Sequence, residues 1–345
     1  MKTDEITKIY FKRLKFNDDT ELILEKNSIV VFTGANNSGK SQVLRDIEAC
    51  LDKSNYSEML VLKENEPVYC GTIVNKDFLK KHFRLNEHGM YMSIEDGWSF
   101  DINSLEIEWK NRTLYNNIHK MFVHRLSTEE RLTSSNALYR ADNVEGAPIY
   151  KLSKSEKLAQ KISDYFHQAF GVDLVVNRND MTTIPLHVGQ APDKTAYTID
   201  KQDDYYGLVE KLPKLDKQGD GMRSFASILL NTFTSDYSIT LIDEPEAFLH
   251  PPQARILGKM LAKNNLDNSQ LFISTHSEDF LQGLLDAENA NVTVIRINRE
   301  NNVNRMSTLQ NDKIKELWGN PILRYSNILS GLFHEKVVVC ESDYD

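Results

Sequence analysis

The segment Gly34-Ala35-Asn36-Asn37-Ser38-Gly39-Lys40-Ser41 has the spacing Gly-x-x-x-x-Gly-Lys-Ser. Glycines at both ends let the backbone curl until successive N–H groups point inward, where they meet phosphate oxygens. Lys40 can reach the β- and γ-phosphates of a nucleoside triphosphate, and the Ser41 hydroxyl can bind Mg²⁺. Asn36, Asn37 and Ser38 complete the loop and Gln42 follows it, so all four are candidate nucleotide contacts. With ordinary residue usage this spacing arises by chance roughly once in a hundred chains of this size.

Three further constellations follow. Ile239-Thr240-Leu241-Ile242-Asp243-Glu244 is an apolar run ending in adjacent carboxylates. At a strand end, Asp243 can hold Mg²⁺ while Glu244 positions and deprotonates an attacking water. Leu271-Phe272-Ile273 leads into Ser274-Thr275-His276-Ser277, where His276 can hydrogen-bond a γ-phosphate. Gln218-Gly219-Asp220-Gly221-Met222-Arg223-Ser224 is a glycine-rich turn before a helix.

The elements that must position these residues alternate between strand and helix. Ile9–Phe11 and Leu22–Leu24 read as strands around a turn at 17–19. Ser28–Thr33 is a β-branched apolar run that stops at Gly34, as a buried strand does. Val43, Leu44, Ile47 and Leu51 then recur at helical spacing. The glycine loop thus lies between a strand and a helix, the context a phosphate loop requires. The span 53–216 is less regular. One helix stands out there, begun by the capping box Ser153-Lys154-Ser155-Glu156 and stopped at Gly171. Leu174–Val176 and Thr182–His187 read as strands. Order returns with helices at 222–233, 251–261 and 278–285 and strands at 238–242, 271–274 and 292–297.

Composition narrows the class. The 345 residues are 40% hydrophobic with a net charge of −9, and mean hydropathy is −0.47. No apolar run approaches the ~18 residues of a membrane helix, so no membrane partner is expected. Cys50, Cys70 and Cys340 are scattered, which argues against a zinc site or disulfide framework and points to the cytoplasm. The acidic balance gives nucleic-acid binding no support from overall charge. Lys80, Lys81, His82 and Arg84 form one short basic cluster.

In their order along the chain, the phosphate loop, the glycine-rich helix head, the Asp243-Glu244 strand end and His276 resemble the ABC ATPase superfamily. That resemblance implies an α/β fold with an ABC-type P-loop ATPase core, ATP and Mg²⁺ as cofactors, and Lys40, Glu244 and His276 as catalytic groups. It further implies a head-to-tail homodimer or higher homo-oligomer. Gly219, Asp220, Gly221 and Ser224 of one copy would then face the γ-phosphate held by the other. The helix head departs from the Leu-Ser-Gly-Gly-Gln form of transporters. Asp243-Glu244-Pro245-Glu246-Ala247-Phe248-Leu249-His250-Pro251 resembles the branch shared by SMC and RecF-like ATPases and the OLD (overcoming lysogenization defect) family. Arg125–Leu132 is similar to a segment of OLD-like ATPases. Lys336–Cys340 followed by Glu341-Ser342-Asp343-Tyr344-Asp345 resembles the opening of a Toprim nuclease domain, with Glu341 and Asp345 at its metal-binding positions.

The expected organisation is therefore an ATPase core split over 1–52 and 217–334, an α/β lobe inserted at 53–216, and the first strand of a truncated Toprim domain at 335–345. OLD resemblance implies anti-phage defence, DNA or another nucleic acid as partner of the full-length protein, and a possible defence partner protein. The alternatives are an SMC/RecF-like repair ATPase, a nucleotide-gated scaffold with little turnover, and a transporter ATPase subunit.

Overall fold

A computed structural model describes residues 6–52, 59–94, 97–115, 117–140, 146–193, 202–235, 237–265, 269–287, 291–300, 303–320 and 327–334. The first half runs β1 (Lys8–Phe16), β2 (Glu21–Ile23), β3 (Ile29–Thr33), α1 (Lys40–Ala49), β4 (Leu62–Cys70), α2 (Lys76–His82), β5 (Phe83–Leu85), β6 (Tyr91–Ser93), β7 (Ser99–Phe100), α3 (Ile102–Asn111), β8 (Val123–Leu126), α4 (Thr128–Thr133), β9 (Leu138–Tyr139), α5 (Pro148–Lys154) and α6 (Glu156–Phe170). It continues through β10 (Asp173–Val176), β11 (Thr183–Ile184), β12 (Leu186–Gly189), α7 (Gln202–Val209), α8 (Asp220–Thr234), β13 (Ile239–Asp243), α9 (Pro251–Asn264), β14 (Gln270–Ser274), α10 (Glu278–Leu285), β15 (Val292–Glu300), β16 (Val303–Leu309) and α11 (Asn311–Gly319).

A six-stranded sheet in the order β16-β15-β3-β14-β13-β8 forms the centre. Five strands are parallel, and β16 closes one edge as an antiparallel hairpin with β15. Every residue of β3 and β14 is buried, as expected of parallel strands covered on both faces. Alternate side chains enter opposite layers. Ile29 and Val31 pack with helices α5, α6, α8, α9 and α10. Val30 and Phe32 pack with α1, α3 and strand β1. Helix α8 is buried continuously from Ser224 to Asn231. Its Phe225, Ile228, Leu229 and Leu230 are each 0% exposed, contributing about 1.5–3 kcal/mol apiece.

A separate three-stranded antiparallel sheet, β2-β1-β4, covers one face. Gln270, at the start of β14, fastens it down. Its Nε2 donates to Phe11 O (2.7 Å) and Glu25 O (2.8 Å), and its Oε1 accepts from Phe11 N–H (2.8 Å).

The span 53–216 does not stand apart from this architecture. Its β8 is the edge strand beside β13, its β4 pairs with β1, and α6 packs on α8 and α9. The expected capping box also resolves differently. Pro148 opens α5 upstream, so Ser153 already lies within a helix and its hydroxyl donates to Tyr150 O. The chain breaks at Ser155, whose Oγ accepts from Leu158 N–H at 3.2 Å and starts α6. The expected strand at 182–187 is divided at Pro185 into β11 and β12. The segment 336–345, with Glu341 and Asp345, lies outside the described residues.

Candidate functional site

Strands β3, β14 and β13 are adjacent, and their carboxyl ends carry the phosphate loop, His276 and Asp243-Glu244 respectively. Register aligns them: Asp243 lies opposite Ser274, and Ser274 opposite Phe32. Side chains far apart in sequence therefore converge at one crevice outside the sheet, the usual ligand position in open α/β sheets.

The loop is shaped by its glycines. Gly34 has φ +138°, and a Cβ there would lie 2.2 Å from Ile297 O. Gly39 has φ +105°, and a Cβ would lie 2.7 Å from the Asn304 amide nitrogen. Asn304 in β16 donates to Ser38 O, so the β15–β16 hairpin walls the loop. Asn36 and Asn37 are exposed. Gly39 caps α1 without a side-chain acceptor, leaving N–H groups at a positive helix end, where anions bind. Among the described residues the buried Ser38 Oγ has no hydrogen-bond partner. A phosphate oxygen fits both features.

Lys40 Nζ donates to Gly34 O (2.9 Å) and Ala35 O (2.8 Å). Burial pulls its pKa below the usual lysine value, while Glu244, Asp243 and Glu246 push it back up. Ser41 Oγ donates to Asp243 Oδ1 at 2.9 Å, and Ser274 Oγ donates to the same oxygen. A hydroxyl and a carboxylate are the hard oxygen donors that suit Mg²⁺, which takes few protein ligands and completes its shell with phosphates and water. Among the described residues no group of three or more His, Cys, Asp or Glu could hold a metal by itself, so phosphate oxygens would be needed.

His276 Nε2 lies 3.4 Å from Glu244 Oε1. Burial and then Lys40 lower its pKa below the usual histidine value. The His276 main-chain N–H donates to Glu246 Oε1 at 2.7 Å. Burial raises the Glu246 pKa, and among the described residues the buried Glu246 Oε2 has no hydrogen-bond partner within normal geometry.

Gly219 and Asp220 are exposed at the head of α8, and a Cβ on Gly221 would lie 2.6 Å from Phe248 O. The glycine turn thus borders the loop that follows the carboxylates. Ser224 departs from expectation. It is 0% exposed and its Oγ accepts from Arg131 Nε at 3.0 Å, because one helical turn carries it from the exposed head into the core. Gln42 follows the loop on α1, where its Nε2 donates to Asp46 Oδ1 at 2.8 Å and its Oε1 accepts from Arg45. Arg131 was missed, though it lies inside a segment of interest. It is 0% exposed and donates to Asp243 O and Glu244 O.

Residues 191–281 match the domain family described as "AAA domain, putative AbiEii toxin, Type IV TA system". Endonuclease GajA of Bacillus cereus (strain HuB5-5) is 30% identical over 93 residues, covering 24% of this chain and 14% of that protein. Among solved structures, an Smc head bound to the C-winged helix domain of ScpA is 13% identical with a TM-score of 0.46, over 88% of this chain and 99% of that one. An Smc head with an extended coiled coil, bound to the C-terminal domain of ScpA derived from Pyrococcus furiosus, is 10% identical with a TM-score of 0.48, over 90% and 99%. The strand order and the phosphate loop give a mixed α/β core built on a largely parallel sheet, and its 191–281 part matches an AAA domain.

Proposed function

We propose that this chain binds and hydrolyses ATP, and that ATP drives two copies together to control a nucleic-acid-directed activity of an OLD-like anti-phage defence nuclease. The observation that carries the reading is the meeting of Ser41 with Asp243, 202 positions apart, where the carboxyl ends of three adjacent strands lie side by side. The local likeness to Endonuclease GajA supports the nuclease context.

In this reading the loop N–H groups from Gly34 to Gly39 cradle the phosphates, and Lys40 leaves the loop carbonyls to neutralise the β- and γ-phosphates. Ser41 and Asp243 would hold Mg²⁺, which would supply charge compensation at the phosphates. Glu244 accepts a proton from the attacking water. His276, held near neutral, donates toward the γ-phosphate. Gly219, Asp220 and Gly221 face the nucleotide of a second copy, while Ser224 serves the interior. Glu341 and Asp345 belong with the nuclease, and the core comprises 1–52 and 217–334 together with those parts of 53–216 that join its sheets.

One observation favours a second reading. The Glu244 carboxylate is engaged by His276, as suits a nucleotide-gated scaffold that turns over slowly. ATP turnover and light-scattering mass of the wild type, Lys40→Ala and Glu244→Gln decide between them. Hydrolysis requires turnover lost in both variants and an ATP-dependent dimer in Glu244→Gln. Undiminished turnover in Glu244→Gln would sink it, and tight ATP binding without turnover in the wild type selects the scaffold.

A further inference from the structure

Glu244 has φ 48°, in the left-handed region that side-chain-bearing residues seldom adopt. The strained peptide is held from both sides. Its N–H donates to Ser274 O (3.0 Å) and Ser274 Oγ (3.2 Å). Its carbonyl accepts from Arg131 Nη2 at 3.0 Å, and Arg131 Nη1 donates to the preceding carbonyl, Asp243 O. The remaining guanidinium contacts go to Ser224 Oγ (3.0 Å) and Thr128 Oγ1 (3.2 Å). A fully buried guanidinium is expensive to desolvate, and its planar fork fixes geometry as no other side chain does.

We propose that Arg131 is a positioning residue for ATP hydrolysis, whose fork locks the two carbonyls after β13 and so aims the Glu244 carboxylate. The inference rests on the hydrolytic reading above. Arg131 touches main-chain carbonyls rather than the reacting groups, so it acts through Glu244. Because the same guanidinium joins α8 at Ser224 to α4 at Thr128, a shift of α8 reaches Glu244 through a single side chain.

Arg131→Lys keeps the charge and removes the fork. In single-turnover assays the hydrolysis rate should fall on the order of a hundredfold, the cost of misplacing a reacting group by about 1 Å. The Kd for a fluorescent ATP analogue should stay unchanged. Placed in Glu244→Gln, the same substitution should cause no further loss, since no carboxylate remains to be aimed. A structural role alone predicts weakened nucleotide binding and equal losses in both backgrounds, and either result overturns the proposal. If Arg131→Lys does not fold, Thr128→Val decides. It leaves the guanidinium in place and should slow hydrolysis several-fold at constant Kd; an unchanged rate overturns the proposal. If the wild type itself fails to hydrolyse ATP, the hydrolytic reading falls first and this inference with it.

Discussion

Gly34→Ala tests whether the loop's geometry is what makes the site. Gly34 has φ +138°, and the added methyl would lie 2.2 Å from Ile297 O and 3.0 Å from Ser38 Oγ. Holding a non-glycine residue in such a backbone costs about 1–3 kcal/mol. Relieving a contact that close against main chain costs a further ~1–3 kcal/mol. The loop can escape by moving away from Ile297, and that turns its N–H groups off the phosphates. The combined penalty, about 2–6 kcal/mol, should therefore divide between lower stability and weaker nucleotide binding. Urea unfolding, together with titration of a fluorescent ATP analogue, measures both parts. Gly207→Ala is the control: it lies in α7, and nothing stands within 4 Å of the added Cβ. It should stabilise by about 0.4–1 kcal/mol and leave the affinity alone. If Gly34→Ala matched wild type in both measurements, the loop would not be geometrically constrained and the argument from its glycines would fail.

Two further predictions concern stability. Gln270→Ala should lower unfolding free energy by about 2–5 kcal/mol in urea, because it orphans Phe11 N–H and Phe11 O and takes one of two donors from Glu25 O, which keeps the Ser28 N–H. His119 is 3% exposed, and burial lowers its pKa below the usual histidine value. Its neutral form therefore contributes stability that is complete above about pH 6.5 and is lost as pH falls below that, by up to ~1.4 kcal/mol per pH unit. The urea midpoint should drop between pH 7 and 5.5, and His119→Gln should flatten that slope.

The chemistry was legible where it was written locally. Gly34–Ser41, Asp243-Glu244 and His276 each follow a short apolar run, and those runs became β3, β13 and β14. Helix α10 falls at 278–285 as its spacing indicates. What escaped notice depends on distant partners. Strand β8 is only Val-His-Arg-Leu, too short and polar to show a period, and it is fixed by pairing with β13. Arg131 sits in the short polar helix Thr128–Thr133. Its buried setting depends on carbonyls 112 and 113 residues away, which no local pattern contains. The partners of Ser224 and Gln42 were hidden for a related reason: proximity to a motif does not say which way a helical side chain points.

The contact between Asn304 and Ser38 sets a boundary on how this protein can be divided. The two residues are 266 positions apart, and the neighbouring Met306 N–H is itself held by Asp18 Oδ2 at 2.7 Å. A nucleotide-binding fragment cut after α10 would retain every residue of the phosphate loop while losing its outer wall and the brace that seats it. Any excised or fused version meant to keep ATP must carry the chain through β16, and the earliest defensible endpoint is Leu309.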